Sequence, residues 1–323
     1  MAKKKILVTG GTGFVGHHLI EALLKDAGNE IHITTSGSGK RFAWYEQIGG
    51  ADYVHQVNFT DRAGLVDLLA NLQPDEIYHL ASIAQVGNSF DQARLVLENN
   101  FLLQLNLLEA ISTQSPQTKL LAISSGAIYD VTASSTVQID ENCVIAPNNP
   151  YAASKAIQDM MSGAYAASHH LHIVRVRPFN HIGDYQGPGF AVPDFAKQIM
   201  AAKAMGGGEI KVGNLEPKRD FTDVKDVVAA YILLMAKGVS GEVYNVGSGK
   251  SVSMQQILTD LIAMAGVPIK VVKDEKLFRP VETMDIVANN AKLRQLGWAP
   301  KIKLSDTLKR VLQYWEKESN HIK

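Results

Sequence analysis

The chain has one cysteine, Cys143, among 323 residues. This excludes an internal disulfide and leaves too few thiols for a cysteine-based zinc site, so a reducing, cytoplasmic setting is expected. Net charge is also missing: lysine plus arginine and aspartate plus glutamate number 32 each. No broad basic field exists to draw the protein onto nucleic acid or an acidic membrane, and any anionic ligand must be held by local groups. The start, MAKKKILVTGG, has a basic run but too short an apolar stretch for a signal peptide, and no later run approaches membrane length. None of the ten histidines is spaced with carboxylates to hold a metal.

Hydrophobic residues make up 46% of the chain, enough for a large core. In the first half, the short β-branched or leucine-rich runs KILVTG, EIHITT, DYVHQV, EIYHLA and KLLAISS alternate with helical patterns such as HHLIEALLKDAG and RAGLVDLLANLQ. This alternation predicts crossover helices around a doubly wound parallel sheet of the α/β class. LHIVRVRP, residues 171 to 178, reads as one more strand. Beyond Asn180 the glycine- and proline-rich HIGDYQGPGF opens a stretch of smaller elements. We therefore expect a dinucleotide-binding Rossmann domain over residues 1–180 and a smaller C-terminal substrate-binding lobe over 181–323, with some chain crossing back.

In VTGGTGFVGHHLI the glycines Gly10, Gly13 and Gly16 follow an apolar strand and open an amphipathic helix. Glycine permits a tight strand-to-helix turn, and its missing Cβ lets a pyrophosphate reach the helix N-terminus. Thr12, Phe14 and Val15 belong to the same cradle. At the end of the second strand an NAD-binding protein usually places an acidic residue for the ribose hydroxyls. Here stand Thr35, Ser36 and Ser38, then Lys40 and Arg41. Two cations and no carboxylate favour NADP(H) over NAD(H), unless both are solvated loop charges.

NPYAASKA, residues 149 to 156, places Tyr151 and Lys155 four residues apart behind a proline. On a helix they share a face, where an ammonium lowers the phenol pKa from its ordinary ~10 and lets it exchange a proton with a carbinol or carbonyl oxygen. Alone the spacing is common. Its company is LLAISSGAIYD, which puts Ser124 and Ser125 on the ligand-binding edge of the sheet.

Together these motifs resemble the extended short-chain dehydrogenases/reductases that act on nucleotide sugars, over nearly the whole chain. The resemblance implies Ser125, four residues before Tyr129, as the catalytic hydroxyl beside Tyr151 and Lys155. It also implies a buried Asn100 that helps hold a water relay to the lysine. Leu80, Ala81 and Ser82 match the stretch passing over the cofactor phosphates, while the neighbouring His79 reads as a core histidine. In QVNFTD, Asn58 and Phe59 stand where the family contacts the adenine, although it commonly has an acidic residue there.

PFNHIGDYQGPGFAVPDFAKQI, GNLEPKRDFTDVKDVVAAY and YNVGSGKSVS most closely resemble the GDP-4-dehydro-6-deoxy-D-mannose reductases. The implied reaction is NADPH-dependent reduction of a C4 keto group to give GDP-D-rhamnose. Asn180, Val192, Arg219, Arg279 and Glu282 are then expected on the GDP-sugar, with both arginines offsetting the diphosphate charge unless they are merely solvated. Asp220 and Asp223 are expected to cap or brace the following helix. The rival reactions are GDP-mannose 4,6-dehydration and nucleotide-sugar 4-epimerisation, and an NADP-sensing binding protein is the non-enzymatic alternative. The dehydratases carry a carboxylate two residues before the strand-five tyrosine, a place held here by Ala127.

A helix expected from about Ser89 to Ala110 carries leucines and Phe101 around more than one stripe. The second apolar face is covered either by the C-terminal lobe or by a homodimer partner through a four-helix contact, the latter being the family's habit.

Overall fold

The apolar run KKILVT forms β1 (Lys4–Thr9), in which Ile6, Leu7 and Val8 are fully buried. A strand without a polar face must be covered on both sides, and helices cover it. The computed structural model describes residues 2–35, 45, 53–84, 90–129, 138–278 and 285–320.

After β1 come α1 (Phe14–Leu23), β2 (Asn29–Thr35), β3 (Val54–Gln56), α2 (Arg62–Leu72), β4 (Glu76–His79), α3 (Ala93–Gln114) and β5 (Lys119–Ile123). A 3-10 turn (Gly126–Ile128), β6 (Gln138–Ile139), α4 (Pro150–Ser168), β7 (Ile173–Pro178) and β8 (Asn180–Ile182) follow. The remainder comprises α5 (Ala191–Ala204), β9 (Gly208–Val212), β10 (Lys218–Asp223), α6 (Val224–Lys237), β11 (Val243–Val246), β12 (Ser251–Ser253) and α7 (Met254–Ala265). It ends with β13 (Ile269–Lys273), β14 (Asp285–Ala288), α8 (Ala291–Gln295) and α9 (Leu304–Asn320). The helix expected from Ser89 is observed from Ala93 and runs on to Gln114; Ser89 lies outside the described residues.

Seven strands make a parallel sheet in the order β11-β7-β5-β4-β1-β2-β3. The order reverses between β1 and β4, and this switch point opens a crevice beyond the carboxyl ends of the strands. One apolar core, including Ile20, Ile33, Tyr78, Val176 and Tyr231, packs α1 and α6 on one face. Another, including Leu69, Leu107, Ile111 and Ile173, packs α2 and α3 on the other.

A second sheet, β12-β10-β14-β6 with β8 on β10, and the pair β13-β9 lie beyond. Their helices α5, α7 and α9 share a separate core around Ile199, Ile257, Leu261 and Trp315. The chain crosses between the two parts in both directions: β11 rejoins the large sheet beside β7, and β6 pairs with β14 in the second sheet.

Candidate active site

At the end of β1 the backbone turns through Gly10, whose φ is +66° and where a Cβ would stand 3.0 Å from the backbone of Ala81. In the first turn of α1, a Cβ on Gly16 would lie 2.5 Å from the Gly11 carbonyl oxygen and 2.6 Å from that of Gly10. Helix and turn therefore close onto each other only without side chains. Gly13 caps α1, and no side chain bonds the first-turn amides, an arrangement suited to a pyrophosphate. Thr12 reaches Thr35 at the end of β2 (3.4 Å), Phe14 stacks on His181, and Val15 packs against the core beneath.

The next strand end is tied to this turn. Thr9 Oγ1 lies 2.8 Å from His79 Nδ1 and accepts from the Ala81 amide at 3.2 Å. Burial first, and Lys155 second, push the His79 imidazole down to about 3, so it is a neutral core histidine. Leu80 packs on the core, and Ser82 is partly buried. Ile83 exchanges two hydrogen bonds with the Asn100 side chain, at 2.8 and 3.1 Å. The segment over the crevice is thus fastened at both ends. Farther out, Asn58 Oδ1 accepts from the Thr60 amide and hydroxyl (3.0 and 2.8 Å), Phe59 is buried, and Asp61 caps α2. Ser36, Lys40, Arg41, Arg279 and Glu282 lie outside the described residues.

Just beyond β5 the two adjacent serines have different fates. Ser124 Oγ donates to the main-chain carbonyl of Lys155 at 3.0 Å, whereas Ser125 hydrogen-bonds the Tyr151 phenol. Ser125 also accepts from the Ala127 amide at 3.1 Å, capping the 3-10 turn. Gly126 in that turn is obligatory, because a Cβ there would come within 2.8 Å of the Phe179 ring.

Helix α4 starts where Asn149 caps it by accepting from the Ala152 amide and Pro150 occupies its first turn. One turn in, Tyr151 is partly accessible and Lys155 is buried. Lys155 Nζ donates to the Ile123 carbonyl at 2.6 Å and to Gln158 Oε1 at 2.7 Å. Burial pushes the lysine down to about 7, against the opposing pull of Asp159.

One sequence expectation is corrected here. Burial raises the Tyr151 phenol above its ordinary value, and the influence that lowers it is the Ser125 hydrogen bond. The lysine head is drawn to Ile123 and Gln158, so sharing a helix face does not put its charge to work on the phenol. The main-chain carbonyl of Asn100 accepts from Gln158 Nε2 at 2.8 Å. Asn100 is fully buried, and its side chain donates to Ser154 Oγ at 2.9 Å, which in turn donates to the Tyr151 carbonyl at 2.8 Å.

The second part of the chain holds a cavity of about 540 Å³, lined by residues that include Asn180, Val192 and Arg219. Sequence reasoning missed Lys197, Gln198 and Lys211, which also line it. They come from α5 and β9, and only the pairing of these elements reveals them: Gln198 exchanges bonds with the Lys211 backbone at 3.0 and 2.8 Å. Among the described lining residues Asp194 is the one carboxylate, and burial raises its pKa. Asp223 caps the following helix, as expected, whereas Asp220 braces the turn after β11 and the end of β14 instead of that helix. Asp220 accepts from Ser248, Gly249 and Ala288, while Asp223 caps α6 and binds Thr307 and Arg310.

A glycine turn at the switch point of a parallel sheet, with serine, tyrosine and lysine across the crevice, is the architecture of an extended short-chain dehydrogenase/reductase. This class comprises NAD(P)-dependent oxidoreductases, epimerases and dehydratases. The family described as GDP-mannose 4,6 dehydratase matches residues 7–311, and the chain belongs to it. It is 31% identical over 315 residues to the GDP-6-deoxy-D-mannose reductase of Pseudomonas aeruginosa, with 97% of each chain covered. The structure of RMD from Pseudomonas aeruginosa complexed with NADPH superposes with a TM-score of 0.85 at 30% identity, covering 98% of this chain and 100% of that one. UDP-glucose 4-epimerase of Thermus thermophilus in complex with NAD gives 0.85 at 28% identity, covering 96% and 98%.

Proposed function

We propose that the protein reduces the C4 keto group of GDP-4-dehydro-6-deoxy-D-mannose to give GDP-D-rhamnose, with residues 1–180 holding NADPH and 181–323 the sugar nucleotide. The observation that carries this reading is Ala127. It sits on the turn capped by Ser125, where dehydration needs a group able to move a proton, and a methyl cannot. Serine, tyrosine and lysine suffice for reduction.

The glycine turn fits a dinucleotide, since the missing Cβ atoms let the backbone of the turn close against the start of α1, whose first amides a pyrophosphate could then reach. Gly10 to Gly16 would hold the pyrophosphate, Leu80 to Ser82 would pass over it, Asn58 and Phe59 would flank the adenine, and Ser36, Lys40 and Arg41 would meet the 2′-phosphate. NADPH, when bound, supplies the hydride that C4 receives. Ser125 holds the carbonyl oxygen in place, and Tyr151 donates the proton that the oxygen takes up. A phenol raised by burial stays protonated at neutral pH, as a proton donor must. An ammonium has three N–H groups, and with two of them on Ile123 and Gln158 the third would be left to hold a ribose hydroxyl.

The cavity suits a diphosphate, since Arg219, Lys197 and Lys211 line it against the single carboxylate of Asp194 among the described lining residues. Arg279 and Glu282 complete the sugar-nucleotide site in this reading. Exposed Leu95 and Phe101 on α3, with Ile157 and Met160 on α4, form an apolar surface suited to a homodimeric four-helix contact. Met160→Glu should then shift the dimer to monomer in light-scattering chromatography.

The deciding assay follows NADPH absorbance after addition of freshly made GDP-4-dehydro-6-deoxy-D-mannose. Oxidation is expected. Inertness toward that sugar combined with conversion of GDP-mannose to a keto sugar would instead identify a dehydratase, and inertness toward both with retained NADPH binding would favour the sensing protein.

A further inference from the structure

Gln158 lies one turn beyond Lys155 on α4 and is buried, with only 2% of its surface exposed. Both ends of its side-chain amide are engaged. Oε1 accepts from Lys155 Nζ at 2.7 Å, and Nε2 donates to the Asn100 carbonyl at 2.8 Å. A single planar group therefore links the lysine on one helix to the backbone of the other.

The surrounding charges leave this amide little competition. Asp159, next along α4, is bound by Arg177 at 2.7 Å and Arg175 at 3.2 Å, so its carboxylate is spent on β7. His79 on β4 is held neutral by burial, and the Tyr151 phenol is raised. From β5 come only neutral groups, the Ile123 carbonyl and the Ser124 hydroxyl. A neutral acceptor fixes where the ammonium points and adds no charge, whereas a carboxylate in the same place would hold the proton on the lysine more tightly.

We propose that Gln158 is a positioning residue for the active site, carrying the orientation of Lys155 across the seam between α3 and α4 to the Asn100 carbonyl. The lysine is then oriented from both helices, through Gln158 on α4 and the Asn100 carbonyl on α3. The sequence carries the signal only faintly: a glutamine three residues after the lysine shares its helix face.

The proposal rests on Lys155 being the group that holds the cofactor ribose, and its test can be read without the sugar. In the full-length protein, NADPH affinity is titrated by fluorescence across neutral pH for the wild type, Gln158→Leu and Gln158→Glu. Loss of one charge-assisted hydrogen bond should weaken NADPH binding on the order of tenfold in Gln158→Leu. Gln158→Glu keeps the shape and adds a charge, so the pH at which binding weakens should move upward. A purely structural glutamine would lower the melting temperature and leave this pH limb in place, and that result overturns the proposal. Wild-type affinity and pH dependence in both variants overturn it as well. Should Gln158→Leu not fold, the isosteric Gln158→Glu carries the test alone. A wild-type protein that binds NADPH but leaves the keto sugar untouched would sink the reductase reading, with Gln158 still judged from the titration.

Discussion

Ser124 donates its hydroxyl to the main-chain carbonyl of Lys155 at 3.0 Å, binding the end of β5 to the N-terminal turns of α4. Its neighbour Ser125 is thereby the serine that meets Tyr151. Ser125→Ala should lower kcat by about a hundredfold and, by losing the cap of the 3-10 turn, cost about 1 kcal/mol of stability. Ser124→Ala should keep most of the activity and lose about 1 kcal/mol of stability. Steady-state rates and urea midpoints for the pair check both; equal rates in the two variants would remove Ser125 from its assigned role.

Gly16 tolerates no side chain, since a Cβ would press on two backbone carbonyls that have nowhere to move. Gly16→Ala should push α1 off the turn and weaken NADPH binding by about tenfold or more, because the helix amides no longer reach the pyrophosphate. Fluorescence titration measures this directly. Undiminished affinity would show that the cofactor does not use this helix end.

Arg219 lines the cavity with its Nη1 donating to the Lys218 carbonyl at 2.8 Å, which sets the direction of the guanidinium. Arg219→Gln should raise KM for the sugar nucleotide by about tenfold and leave NADPH affinity as it was. A change confined to the cofactor would place the arginine in the wrong site.

His79 gives a prediction about acid stability. Its folded pKa of about 3 lies below the ordinary value of 6.5, so between these values the unfolded chain binds a proton that the folded one does not. Stability from this group is fully present above the unfolded value and is lost as pH falls through that window, by up to about 1.4 kcal/mol per pH unit. His79→Gln should flatten the slope of unfolding free energy against pH there. Denaturant titrations at several acidic pH values would show whether the slope is unchanged, which would assign the loss to other histidines such as His18 and His181, whose pKa values burial also lowers.

Much of this molecule could be read along the chain because its signals are local. The alternation of β1 to β5 with helices reports two-sided burial, a property each strand shows by itself. The glycine turn spans seven residues, and Tyr151 and Lys155 are one helical turn apart, so their spacing already fixes their shared face. What spacing did not reveal was the direction of each polar head. The Lys155 ammonium turns to the Ile123 carbonyl on β5 and to Gln158 one turn on, and burial raises Tyr151, because packing against remote segments decides which acceptors a buried N–H meets and how dry the phenol is. The division of labour between Ser124 and Ser125 depends on where α4 crosses β5, and the link from Gln158 to Asn100 depends on how α3 packs beside α4. The cavity is likewise tertiary, since Asn180, Lys197, Lys211 and Arg219 converge only when β8, α5, β9 and β10 fold together. Sequence alone determined the class of fold and the reactive side chains, because periodicity and short-range spacing are properties of one segment. Tertiary structure decided what those side chains face, since hydrogen-bond partners and desolvation are set by atoms remote in sequence.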